Sequence, residues 1–224
     1  MTCFRRRPGR IRSIAAALAL LFLATSAFAG KDFVMPTAQP AKTYPARDEH
    51  SSEGVTIAAD PYDMADKASI FSVHYMDQGF LPIFIVVTND GDQPVSLVEL
   101  KAQLVTVSRS KLGSATVDDI YRRLSHPSAS GKASPLPFPT KKVKGTVSAK
   151  TQEEIQNAQF AARAVEPHST QSGFLFFDVS GISAPLPGSR LFLTGIRDAK
   201  GAELMYFEIP MEKYLSAPAA PKPN

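Results

Sequence analysis

Three aspartates stand close together in Asp60-Pro-Tyr-Asp-Met-Ala-Asp66, and a second polar group, Asn89, Asp90 and Asp92, surrounds Gly91. Carboxylates grouped in this way can bind Ca²⁺ or divide acid and base roles between them. A calcium loop alternates its ligands before a glycine, as in D-x-D-x-D-G, and the 60–66 spacing departs from that pattern. The plainer reading of Asp60, Asp63 and Asp66 is a polar linker between strands. For Asn89, Asp90 and Asp92 it is a hairpin turn, because short polar side chains beside a glycine suit that geometry. His50, His74, His126 and His168 show neither H-x-H nor H-x-x-x-H spacing, so zinc has no sequence signature. Ser108-Arg-Ser-Lys111 fits S-x-x-K, but S-D-N, K-T-G and G-x-S-x-G are all missing. There is no P-loop and no G-x-G-x-x-G. No catalytic residue, metal ligand or cofactor is assigned on these grounds, and the chain reads as a non-enzyme. A hydrolase would require two of Asp60, Asp63, Asp66, His74 and His168 to converge in a pocket.

A different kind of signal lies between residues 125 and 149. Lys141, Lys142 and Lys144, with Lys132 and Lys150 nearby, follow Pro137-Phe138-Pro139. A proline-rich segment loses little entropy on binding; Phe138 can anchor it and the lysines can meet an acidic partner or an anionic surface. Phe138, Lys141, Lys142 and Lys144 are therefore the candidate partner-binding residues, against the plainer reading of a solvated loop. The loop is long for a compact domain.

The chain that carries these residues begins with an export pattern. Five arginines between Arg5 and Arg12 precede an apolar run, Ile14–Phe28, and Ala27-Phe28-Ala29 supplies a small-x-small cleavage site. The run of 15 residues is shorter than the roughly 20 that span a bilayer. Cleavage after Ala29 is expected, with no transmembrane span in the mature chain and a periplasmic or secreted address. Removing those five arginines from 25 basic residues leaves 20 against 21 acidic, a net charge of −1. The formal +4 of the whole sequence is thus no footprint for nucleic acid. The single cysteine, Cys3, falls within the signal, so the mature domain has no disulfide and relies on its core.

Residues 30–52, with Pro36, Pro40 and Pro45, read as a flexible leader, and 215–224 as a disordered Pro/Ala tail. Between them, alternating apolar residues predict strands over 53–58 and 69–76, and a continuous apolar run predicts a strand buried on both faces over 80–87. Residues 95–107 predict a strand with a bulge or break. Further strands are predicted over 172–178 and 190–196, the latter turning through 197–201 into 204–209. Two helices interrupt this pattern. Thr116–Asp119 reads as a capping box opening the first, with Asp118–Arg122 and Asp119–Arg123 as i,i+4 pairs. Thr151–Glu154 reads as a second box, leading through Ile155, Ala158, Ala162 and Val165 to a stop before Pro167.

The sum is about seven strands over 53–214, an immunoglobulin-like β-sandwich with a helical, proline-rich insertion over about 111–166. The run GFLPIFIVVTNDGDQPVSLVEL at 79–100, with the later EPHSTQSGFLFFDV and LFLTGIRDAKGAELMYFEIP, resembles small secreted bacterial immunoglobulin-like domains of unknown function. The resemblance implies a fold and an exported address and carries no catalytic residues. The expected role is a non-enzymatic binding or assembly module of the cell envelope with an envelope or secreted protein partner. The alternatives are a carbohydrate-binding domain, which the absence of tryptophan disfavours, and the hydrolase above.

Overall fold

The computed structural model describes residues 32–126 and 147–215, and the compact unit of the fold begins at Phe33. The expected export signal 1–29, the candidate partner-binding residues Phe138, Lys141, Lys142 and Lys144, and the tail expected from Ser216 onward lie outside the described residues.

The fold is organised around one strand. In β3 (Phe80–Asn89) every residue is buried. Side chains alternate across a strand, so the run serves two cores at once. Leu81, Ile83, Ile85 and Val87 enter one core, whereas Phe80, Phe84 and Val86 enter the other. β3 lies between β2 (Val55–Pro61) and β8 (Ser169–Asp178), and β1 (Arg47–His50) completes an antiparallel sheet in the order β1-β2-β3-β8. A second antiparallel sheet has the order β10-β9-β5-β6, built from β5 (Lys101–Val105), β6 (Lys111–Gly113), β9 (Arg190–Thr194) and β10 (Phe207–Pro210). β4 (Val95–Ser96) and β7 (Ala164–Val165) form a short pair apart from both. The protein is thus mainly β with antiparallel sheets, and has ten strands among the described residues where the sequence predicts about seven.

The first core joins the two large sheets. Val55, Ile57 and Ala59 of β2 and Phe177 of β8 share it with Leu104, Leu191, Leu193, Phe207 and Ile209 from the second sheet. Each such side chain contributes about 1.5–3 kcal/mol on burial, which is how a domain without disulfides holds together. Side-chain contacts from β1 also link the sheets. The amide of Glu208 donates to Asp48 Oδ2 at 2.8 Å, and the His50 ring stacks on Phe207 at 3.9 Å.

The second core covers the other face of the first sheet. Phe84, Phe174 and Phe176 form its floor, with Tyr62, Phe71 and Tyr75 packed on them largely edge-on or tilted. The cover is made by helices α2 (Val117–Ser125) and α3 (Ala149–Ala158), through Ile120, Ile155 and Ala158, and by the segment from Tyr62 to Tyr75. Part of that segment is helix α1 (Ala65–Ala68), and a final short helix, α4, spans Glu212–Leu215. Among the described residues no helix is long and apolar enough to cross a membrane.

Several expectations change. Residues 69–76 are bends leading into a 3₁₀ turn at Tyr75–Gln78, closed by Gly79 at φ 80°. Phe71 and Tyr75 are buried as their alternation predicts, but the segment crosses the aromatic face and pairs with no strand. The leader is partly built into the fold: β1 pairs with β2, and Ala41 and Ala46 are fully buried. Leu215, expected in the tail, closes α4. The insertion is not wholly helical, since β6 begins at Lys111 and pairs with β5. The second helix is capped by Ser148, whose hydroxyl accepts from the Thr151 amide, and it ends at Ala158 instead of continuing to Val165. The capping box at Thr116 and Asp119 is present as read.

Candidate functional site

Two clefts flank the start of α2 and share Ser114 and Ala115 as a wall. They exist because the edge of β8 is occupied by two different segments. Ala115 donates its amide to Phe176 O at 2.6 Å, continuing the chain from β6, while Phe160 donates to Phe174 O at 2.9 Å two residues along the same edge. Gly173 makes the second approach possible: a Cβ there would lie 2.5 Å from Phe160 Cα. The larger cleft, about 500 Å³, is walled by Leu97, Leu100, Phe160, Ala162 and Leu175 with the first turn of α2. The acidic side chains Asp118 and Asp119 stand on that turn, so its partial positive charge is already matched.

The smaller cleft, about 390 Å³, has Phe80 at its base and Arg122, Arg123, His126 and Asp178 around it. Both terminal nitrogens of Arg123 are engaged. One guanidinium nitrogen donates to Ser180 Oγ at 2.7 Å and to Gln78 O at 3.3 Å, the other pairs with Asp178 at 2.5 Å, and the group lies 5.3 Å from the Phe80 ring centre. Burial alone would raise the Asp178 carboxyl. Hydrogen bonds from Ser180 and the Arg123 charge overcome this and hold it below the usual carboxylate range. Arg122 pairs with Asp119, and His126 is exposed with its Nδ1 donating to Arg122 O at 3.2 Å. The i,i+4 pairs expected on this helix are replaced by Arg122–Asp119 and by the long-range Arg123–Asp178 contact.

The aspartates at 60–66 form a separate cluster. Asp60 pairs with Lys67, whose Nζ also donates to Pro61 O at 3.2 Å and sits 4.9 Å from the ring centres of both Tyr62 and Tyr214. The Tyr214 hydroxyl donates to Asp63 Oδ1 at 3.4 Å. Burial pushes the Asp60 carboxyl up, and Lys67 opposes the shift. Burial likewise pushes the Tyr62 and Tyr214 hydroxyls up, with neighbouring carboxylates adding to it. Lys67 fills its own aromatic cage, so the cluster fastens α4 to the end of β2. Asp66 is exposed, and its charge adds to the upward shift of the Tyr214 hydroxyl.

The remaining sequence candidates are dispersed. Asn89 is fully buried: its Nδ2 donates to Gln93 O at 2.8 Å and Val165 O at 3.1 Å, and its Oδ1 accepts from the Gly91 amide at 3.0 Å. The turn is real, but it closes no hairpin, because β4 pairs with β7 and not with β3. Asp90 pairs with Lys42 at 3.0 Å and Asp92 with His168 at 3.1 Å. His74 is exposed, and His50 lies between Asp48 and Glu53. Ser108–Lys111 spans the β5–β6 turn, where the hydroxyls of Thr106, Ser108 and Ser110 bond one another. Neither cleft is lined by Asp60, Asp63, Asp66, His74 or His168. Among the described residues no group of three or more His, Cys, Asp and Glu is placed to hold a metal ion.

The polar residue that sequence reading misassigned is Glu154. Read as a helix-capping side chain, it is instead buried. Its Oε2 accepts from the Ser72 amide at 2.7 Å and its Oε1 from the Tyr75 hydroxyl at 3.1 Å. It directly precedes Ile155 and stands four residues before Ala158, which puts all three on one side of the helix, and that spacing was the available signal. No protein-family model matches the chain, and no curated protein matches it.

Proposed function

We propose that the protein is an exported, non-enzymatic binding or assembly module of the cell envelope, built on an immunoglobulin-like β-sandwich and released from its signal after Ala29. Two antiparallel sheets sharing one core support the sandwich reading. One observation carries the functional reading. Both helices bordering the 127–146 segment are fastened to the first sheet or its cover, α2 by Ile120 and Arg123 and α3 by Ile155, Ala158 and Glu154. The two ends that border the segment containing Phe138, Lys141, Lys142 and Lys144 are therefore fixed to the domain, which suits a binding role for that segment. The 60–66 carboxylates, by contrast, are largely committed to structural pairs, which favours binding over hydrolysis.

The test is recovery of partners from envelope extract on the immobilised mature chain, with a variant carrying Phe138→Ser, Lys141→Ser, Lys142→Ser and Lys144→Ser in parallel. The expected result is a defined envelope or secreted protein retained by the first and lost by the second. Equal recovery would remove the loop from the reading. The export step is checked by sequencing the N-terminus of the exported protein, which should begin at Gly30.

A further inference from the structure

The solvent face of the second sheet holds side chains that none of these contacts uses. Phe207 and Ile209 point into the core, so Glu208 lies on the opposite face. In register with it, Phe192, Gln103 and Gly113 continue one row across all four strands. Neighbouring strands lie about 4.8 Å apart, so the row is roughly 14 Å long. Gly113 leaves its end open: a Cβ there would meet nothing within 4 Å. The Phe192 ring is 5.9 Å from that of Tyr206, which is 50% exposed. On one side of the row stand Thr194 and Lys101, and on the other Arg190 and Lys111. Arg190 pairs with Glu208 and so neutralises the row's one carboxylate. Lys101 and Lys111 are exposed, and among the described residues neither has an ion-pair partner.

We infer that this row is a trough for a polysaccharide strand carrying carboxylates. The C–H face of a sugar ring packs on an aromatic ring, and Phe192 and Tyr206 offer two, inclined 47° to each other. The Gln103 amide and the Thr194 hydroxyl are the right groups for ring hydroxyls. Unpaired lysines on opposite sides match an acidic polymer laid between them. A neutral glycan would leave both unused. The excess of positive charge is local, since the chain after Ala29 carries a net −1. The inference deepens the proposed binding role outside the cytoplasm, and rests on it.

The test uses the full mature chain with polygalacturonate, its methyl ester and single-stranded DNA as probes, read by affinity electrophoresis and calorimetry. Polygalacturonate should bind and the uncharged ester bind weakly. Phe192→Ala and Tyr206→Ala should each weaken binding about tenfold. Lys101→Glu with Lys111→Glu should abolish it, while Lys213→Glu on α4 leaves it unchanged. Circular dichroism confirms that each variant is folded. Ester binding equal to the acid form, stronger DNA binding, variants that bind as the parent does, or a dimer that Phe192→Ala dissolves would each overturn the inference. If polygalacturonate fails while the envelope extract still yields a partner through Phe138 and its lysines, only the trough falls. If neither binds, the broader reading falls with it.

Discussion

The contact between Glu154 and the Ser72–Tyr75 segment gives the sharpest check on how the helical layer is held. Glu154 is 3% exposed and Tyr75 2%. Replacing Glu154 by alanine removes the acceptor for two donors at once. A buried donor left without a partner costs about 1–3 kcal/mol. The Ser72 amide lies near the surface and can recover a water, but the Tyr75 hydroxyl cannot. The expected loss for Glu154→Ala is therefore about 2–4 kcal/mol, with cavity formation included at the upper end. In a domain of this size it lowers Tm by about 10 °C.

Tyr75→Phe removes the hydroxyl and leaves one carboxylate oxygen of Glu154 without its donor, at about 1–3 kcal/mol. The two losses overlap. In a chain already lacking Glu154, removing the tyrosine hydroxyl should cost nothing, because it is itself an unsatisfied group there. Urea unfolding of the parent, both single variants and the double variant, followed by far-UV circular dichroism because the chain has no tryptophan, measures the coupling. About 1–3 kcal/mol of non-additivity is expected, the whole cost of Tyr75→Phe in the parent. Additivity within about 0.5 kcal/mol would refute the reasoning, as would a Glu154→Ala variant as stable as the parent.

Three further outcomes follow from named contacts. Arg123→Ala should destabilise the fold at neutral pH. Because the folded state holds the Asp178 carboxyl low, this stabilisation is present above the unfolded value near 3.9 and is lost as pH falls through the depressed one, so parent and variant unfolding curves should converge in acid. Burial raises the hydroxyls of Tyr44, Tyr62, Tyr75 and Tyr214, so in a spectrophotometric titration of the folded protein Tyr44 should ionise above the usual value of about 10, and the other three should stay protonated until alkaline unfolding releases them. Gly173→Ala should displace Phe160 from the edge of β8 and cost about 1–3 kcal/mol, visible as loss of hydrogen-exchange protection at the Phe160 amide.

Local chemistry was legible where the determinant was local. The continuous apolar run of β3, the Thr116–Asp119 box and the break between β4 and β5 all depend on neighbouring residues, and all are present. Pairings across long sequence distances were not. Arg123 has an acid four residues before it on its own helix, yet pairs with Asp178, 55 residues away. Glu154 matches a capping pattern but turns inward to partners 79 and 82 residues before it. Residues 69–76 alternate as a strand does because alternate residues face the aromatic core, and the same pattern arises when a bent segment lies across a sheet. Nothing in the local sequence separates these cases, since the sheet that receives the segment is assembled from distant parts of the chain.

The best-partnered polar side chains of the helical cover share one physical circumstance. The second face of the β1-β2-β3-β8 sheet is covered by irregular segments and two short helices, and such segments bring few paired backbone groups of their own. Their attachment falls to individual side chains: Glu154 to the Ser72–Tyr75 turn, Lys67 to Asp60 beneath two tyrosines, and Arg123 to Asp178. Among the described residues no buried side-chain polar atom is left without a partner. A fold that commits its charged and amide groups in this way has little freedom to move them for catalysis without loosening its own cover. The face without such a cover, the outside of the β10-β9-β5-β6 sheet, is the place where aromatic and basic side chains stand unused, and there a ligand can be taken up without disturbing either core.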